Sequence, residues 1–138
     1  MAGYSGTPLV KKLGIKSGFN IAFVNAPEGF SKALDLPVEV KINSQARQPI
    51  DFGMLFVTSV KQLRIVFPMY SAKLKPAGML WVAWPKKSSG VVSDLSETIV
   101  QSIGLAEGMV DTKVCAVDEV WSGLKFVFRL KDRPKRST

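Results

Sequence analysis

The chain has 138 residues and a formal net charge of +8, with 46% hydrophobic and 22% charged residues, a balance that suits one globular domain with a core of its own. One cysteine, Cys115, and no histidine exclude an intrachain disulfide framework and all serine–histidine, cysteine–histidine and histidine–zinc chemistry. The start carries no signal-peptide pattern and no stretch approaches the roughly 18 unbroken apolar residues of a membrane span, so a cytoplasmic protein without membrane contact is expected.

In chain order, Pro8 to Leu13 has a short helical pattern that Gly14 can close. Phe19 to Val24 reads as a buried strand, ended by the turn Asn25-Ala26-Pro27-Glu28-Gly29. Glu28 to Leu34 starts a short helix, Val38 to Ile42 alternates as a strand, and Gly53 to Val57 is a second buried strand. Ser59 is positioned as the N-cap of a helix from Val60 to Leu74, which Pro68 should kink or split. Lys75-Pro76-Ala77-Gly78 reads as a helix-to-strand stop before a third apolar run, Met79 to Trp84. The stop echoes Ile15-Lys16-Ser17-Gly18, so glycine is expected in the left-handed position at both places. Asp94 to Ile103 gives another helix, capped by Ser93 or Asp94. Thr112 to Val117 and Leu124 to Leu130 then form a hairpin, with Ser122-Gly123 as its turn signal and Cys115 as a small buried hydrophobe.

This alternation predicts an α/β fold: a doubly wound, mostly parallel sheet with helices on both faces and a C-terminal antiparallel hairpin. Residues 1–130 read as a single domain, and 131–138 as a basic, disordered tail. No acid occurs between Asp51 and Asp94, a segment holding Lys61, Arg64, Lys73, Lys75, Lys86 and Lys87 together with Trp81 and Trp84. A positive face there would favour nucleic acid, a small anionic ligand or an acidic protein partner.

Two resemblances follow from particular segments. The block Ile50 to Val57, the helix after it, the turn and strand Leu74 to Trp84 and the closing hairpin resemble the later half of a class I S-adenosylmethionine-dependent methyltransferase. The segments Ala2-Gly3-Tyr4-Ser5-Gly6-Thr7-Pro8-Leu9, Trp84-Pro85-Lys86-Lys87-Ser88-Ser89-Gly90 and Val114 to Lys125 resemble a family of short bacterial proteins of unknown function. The second resemblance implies a bacterial cytoplasmic protein and carries no catalytic residue with it.

The methyltransferase resemblance implies a glycine-rich turn after the first strand, where the backbone passes close to the cofactor, and an acid at the end of the second strand to hold the ribose. Here the turn has only Gly29, Pro27 removes a donor, and Asn43, Ser44 and Gln45 follow Ile42. On those two counts no cofactor is expected. Glu28 is a substitute acid or a turn residue.

The remaining candidates lie at expected strand ends. Lys86, Lys87, Ser88, Ser89 and Gly90 offer cations, hydroxyls and a permissive glycine for an anion, although the order of a phosphate-binding Walker loop is absent. Asp118 and Glu119 beside Trp121 provide carboxylates in an apolar setting, with Lys125 as a salt-bridge partner. Trp81, Trp84 and Trp121 are candidates for an exposed surface that stacks on bases beside the basic segment, Trp84 at the strand end foremost. The sequence therefore predicts a non-catalytic binding or interaction module without catalytic or metal-ligating residues, its basic cleft formed by Asn25 to Gly29, Trp84 to Gly90 and Asp118 to Trp121. The alternatives are a divergent methyltransferase and a nucleic-acid-binding protein.

Overall fold

The computed structural model describes residues 8–43 and 49–130. In chain order its elements are α1 (Leu9–Leu13), β1 (Asn20–Val24), α2 (Phe30–Ala33), β2 (Lys41–Ile42), β3 (Ile50–Phe56), α3 (Val60–Ser71), β4 (Leu74–Pro85), α4 (Glu97–Ala106), β5 (Met109–Ala116) and β6 (Trp121–Phe128). A 3₁₀ turn over Lys87–Ser89 follows β4. The six strands form one sheet in the order β2-β1-β3-β4-β6-β5. The pairs among β1 to β4 are parallel and those of β6 with β4 and β5 antiparallel, so the sequence-based fold class is correct.

Two apolar layers cover the sheet because the central strands are hydrophobic on both faces. On one face Leu63 and Phe67 of α3 and Val100 and Ile103 of α4 pack on Leu55, Leu80, Val82, Trp84, Leu124 and Phe126. On the other, α1 and α2 cover Phe52, Met54, Phe56, Trp81 and Ala83 with Val10, Leu13, Phe30 and Leu34. Trp81 is fully buried, and its indole Nε1 donates to the Leu13 carbonyl at 2.9 Å, fixing the end of α1 on the sheet.

Several local expectations change in the folded chain. Pro68 does not split its helix, since α3 runs through it as twelve residues. The carbonyl deprived of a partner by proline belongs to exposed Arg64, where water can satisfy it. Ser59 caps α3 as expected, its Oγ accepting from the Gln62 amide at 3.1 Å. Asp94, expected to cap the next helix, instead accepts from the Val60 amide at 2.8 Å and caps α3 from a distance, leaving Ser96 to cap α4. Lys75 to Gly78 lies inside β4: Leu74 pairs with Ile50 and Met79 with Phe52, with a bulge between. Gly18 has the left-handed φ of +79°, but Gly78 serves close approach, because a Cβ there would stand 3.0 Å from the Lys75 carbonyl oxygen. Ser122-Gly123 lies within β6, and the turn is made by Asp118, whose Oδ1 accepts from the amides of Val120 and Trp121, each at 2.8 Å. The basic tail, 131–138, lies outside the described residues.

Candidate functional site at the carboxyl ends of the strands

The chain passes from β1 outward to β2 and then returns to β3 on the other flank of β1. This reversal opens a crevice at the carboxyl ends of β1 and β3, the place where doubly wound sheets bind ligands. The turn after β1 forms one wall. Asn25 has φ +58° and Gly29 φ +80°, so the chain turns sharply away from the strand and back into α2. Within this turn the Phe30 amide donates to the Pro27 carbonyl, while the amides of Ala26, Glu28 and Gly29 have no acceptor among the described residues. Among the described residues, its chain neighbours aside, nothing lies within 4 Å of the point a Cβ on Gly29 would occupy. The turn thus combines three backbone donors with open space, and Glu28 is exposed beside them.

The opposite wall is already saturated. After β3 the Thr58 amide donates to Gln62 Oε1 at 3.0 Å, and the Ser59 hydroxyl and Asp94 carboxylate take the first α3 amides. Behind the β1 turn an aromatic row stiffens the floor: Phe30 meets Phe23 and Phe56 edge-on at 5.5 and 4.9 Å, and Phe56 meets Trp121 at 5.1 Å. A hollow of about 300 Å³ lies beside α2, lined by Leu9, Val10, Phe30, Leu34 and Val117, with Asp35 and Asp118 also contributing to its wall. At the end of β2, Asn43 is half-buried.

The sequence-derived candidates all lie at this end of the sheet, in two groups. Lys86 to Gly90 and Asp118 to Trp121 are tied together by the Lys86 amide donating to the Val120 carbonyl at 2.7 Å. Asn25 to Gly29 lies across the aromatic row from them.

Several of these side chains have structural tasks. Trp84 is buried in the α3–α4 layer, so it offers no stacking face; Trp121 is half-buried and packs against Phe56. The Ser89 hydroxyl donates to the Lys86 carbonyl at 2.6 Å and accepts from the Val91 amide at 3.1 Å, closing its own turn. Lys87, Ser88 and Gly90 are exposed on that turn, and Gly90 takes φ +81° to end it. Asp118 holds the hairpin turn, Glu119 is exposed, and neither forms a salt bridge with Lys125, which lies mid-strand opposite Trp81.

The acid-free segment does not make one positive face. Lys61 and Arg64 are on α3, Lys75 pairs with Asp51 at 3.2 Å at the amino end of the strands, and Lys86 and Lys87 are at the carboxyl end. Separation in space is the physical reason that a continuous run in sequence gives no continuous patch. Among the described residues no group of three or more metal-ligating side chains occurs, and no helix is long and apolar enough to cross a membrane.

No protein-family model and no curated protein matches the chain. Solved structures do. The chain is similar to a SAM-dependent methyltransferase from Aquifex aeolicus, with a TM-score of 0.62 at 15% identity over 86% of each chain. It is similar to magnesium protoporphyrin IX methyltransferase from Synechocystis, solved with bound SAH, with a TM-score of 0.56 at 8% identity over 88% of this chain and 78% of that one. Fibrillarin from Aeropyrum pernix, solved with natively bound S-adenosyl-L-methionine, gives a TM-score of 0.59 at 15% identity over 91% of this chain and 70% of that one.

These likenesses overturn the expectation of a non-catalytic interaction module with a basic cleft, because the fold is shared with SAM-dependent methyltransferases and the divergent-methyltransferase alternative agrees with it better. In the β1 turn Pro27 removes one donor, and the amides of Ala26, Glu28 and Gly29 have no acceptor among the described residues. The chain has a class I methyltransferase-like fold.

Proposed function

We propose that the chain is a divergent S-adenosylmethionine-dependent methyltransferase, with its cofactor site in the β1–β3 crevice. The observation that carries this reading is the β1 turn, where the open amides of Ala26, Glu28 and Gly29 sit at the switch point of the sheet. Those donors suit the polar end of the cofactor, and the space over Gly29 admits close approach. The acid usual after the second strand is replaced by Asn43, whose amide can both donate to and accept from vicinal hydroxyls. Glu28 supplies the carboxylate from the neighbouring turn.

When bound there, the cofactor brings an electrophilic methyl group, so the protein's work is to hold an acceptor in line and exclude water. The hollow beside α2 provides an apolar wall for that acceptor, and the carboxylates of Asp35 and Asp118 can take hydrogen bonds from its N–H or O–H groups. With no histidine in the chain, proton acceptance falls to such carboxylates or to water.

The reading is tested by recording amide chemical shifts during titration with S-adenosylhomocysteine. Shifts concentrated at Ala26, Glu28, Gly29 and Asn43 are expected. Glu28→Gln should weaken binding at least tenfold, the loss of one hydrogen bond to a charged group, worth about 1.5–3 kcal/mol. Shifts confined to the Lys86–Gly90 turn would refute the site.

A further inference from the structure

We infer that the substrate of this proposed methyltransferase is a single-stranded nucleic acid, held along a lysine track on the α1 face of the sheet. The inference rests on the methyltransferase reading for the chemistry and on separate observations for the track. Lys113 of β5 pairs in register with Lys125 of β6, which stands opposite Trp81 of β4, so both lysines share the α1 face with that tryptophan. Lys113 Nζ donates to the Lys12 carbonyl at 2.9 Å, joining α1 to the sheet edge. Lys11, Lys12 and Lys113 line an open groove of about 410 Å³ with Val114, Cys115 and Ala116.

Two further cations extend the line. Lys16, between α1 and β1, acts electrostatically on Lys125, and Lys86, just beyond β4, acts on Cys115. Like charges placed opposite one another on adjacent strands repel. Here Lys113 and Lys125 are opposed with no carboxylate within ion-pair distance among the described residues. Lys125 is part-buried, and burial first, then Lys113 and Lys16, lower its pKa from the ordinary lysine value. Such a cluster costs stability in the free protein and is relieved by an extended anion.

The shape favours a polynucleotide over a compact anion or an acidic protein. From the level of Trp81 to Lys86 the track rises five strand residues, roughly 16 Å at about 3.3 Å per residue, a length that matches several consecutive phosphates. Its direction is also informative. The groove ends on Cys115 and Ala116, and the hollow beside α2 begins on the next residues, Val117 and Asp118, with α1 forming a wall of both. A strand lying in the groove would deliver a base toward Phe30 and the β1 turn. There the ring can pack against the apolar wall, and Asp35 and Asp118 can accept from base N–H groups. Asp118 and Glu119 border the upper end of the track and limit it on that side.

The test is a fluorescence-anisotropy titration of the full chain with labelled single-stranded RNA and DNA of mixed sequence over a range of salt. Binding is expected to weaken linearly in log–log form, with a slope of about −0.7 per phosphate neutralised. Lys12→Glu with Lys113→Glu should reduce affinity at least tenfold. Because Lys113 also anchors α1, the pair Lys11→Glu with Lys86→Glu, whose side-chain cations form no internal hydrogen bond or ion pair among the described residues, must reduce it too. Lys61→Glu with Arg64→Glu, on the opposite face, should leave affinity within about twofold of the wild type.

Absence of binding at low salt, equal loss in the α3 control, or equal competition by polyglutamate would overturn the inference. S-adenosylhomocysteine binding, measured on the same Lys11/Lys86 variant, should be unchanged. Nucleic-acid binding without S-adenosylhomocysteine binding would uphold the track and refute the methyltransferase reading, and the reverse pattern would refute the track alone.

Discussion

At Gly104 one missing methyl group determines how closely α4 can approach the sheet. A Cβ there would overlap the Phe126 ring, which is itself locked edge-on against Phe67 at 5.3 Å. Gly104→Ala should therefore cost about 1–3 kcal/mol through overpacking, despite the better helix propensity of alanine. Urea denaturation would read this as a lower midpoint with an unchanged slope, and a stabilised variant would contradict the packing account. No local sequence signal marks this contact, because Phe126 lies on β6, distant in the chain from Gly104.

Cys115 behaves as its apolar surroundings suggested. Burial raises its thiol pKa from the ordinary value of 9.0, against the opposing charges of Lys12, Lys113 and Lys86. Above pH 9.0 the unfolded thiol ionises while the folded one keeps its proton, so this residue's contribution to stability falls as pH rises through that window. Lys125 has the opposite sign. Its folded pKa lies below 10.5, so the unfolded state binds the extra proton below that value and charging the lysine in the fold is destabilising at neutral pH. Lys125→Met should raise the unfolding midpoint at pH 7, with the gain fading as pH passes 10.5. Cys115→Ala should flatten the alkaline decline. Unchanged pH profiles in both variants would contradict these assignments.

Among the elements, α3 shows how local and distant signals divide the work. Its serine cap was legible, because Ser59 and the following apolar spacing are neighbours in sequence. Its second cap, the Asp94 carboxylate, arrives from the far side of β4. Asp94→Ala should cost about 1 kcal/mol and increase hydrogen exchange at Val60. No change in exchange there would show the contact to be dispensable. The extent of β4 was hidden for a similar reason. Pro76 and Gly78 look like strand breakers in isolation, but the bulge opposite Asp51 gives them a place, and Lys75 is held there by its 3.2 Å ion pair with Asp51. Strand β2 was expected over five residues and has two, exposed at the sheet edge and paired only with β1, where pairing on one side supports fewer residues.

For the whole molecule, the strand order β2-β1-β3-β4-β6-β5 is what gives scattered residues a common site. Apolar runs, capping residues and the final hairpin made the fold class readable, because each is a periodic or local signal. The lysine track was not readable. Lys12, Lys16, Lys86, Lys113 and Lys125 come from four separate parts of the chain, whereas the acid-free run between Asp51 and Asp94 disperses over both ends of the sheet. The β1 turn was read for what it lacks, glycines and one donor. Its three open amides became evident only once the hydrogen bonds of the folded turn were known.

The central claim is that this turn still receives the cofactor, and a calorimetric titration of the full chain with S-adenosylhomocysteine tests it most directly, since it requires no acceptor substrate. Saturable one-to-one binding, weakened at least tenfold by Glu28→Gln and unaffected by Lys61→Glu, is the predicted result. No heat at about millimolar ligand, which places binding weaker than about −4 kcal/mol, would contradict the account and leave a methyltransferase-like fold without methyltransferase chemistry.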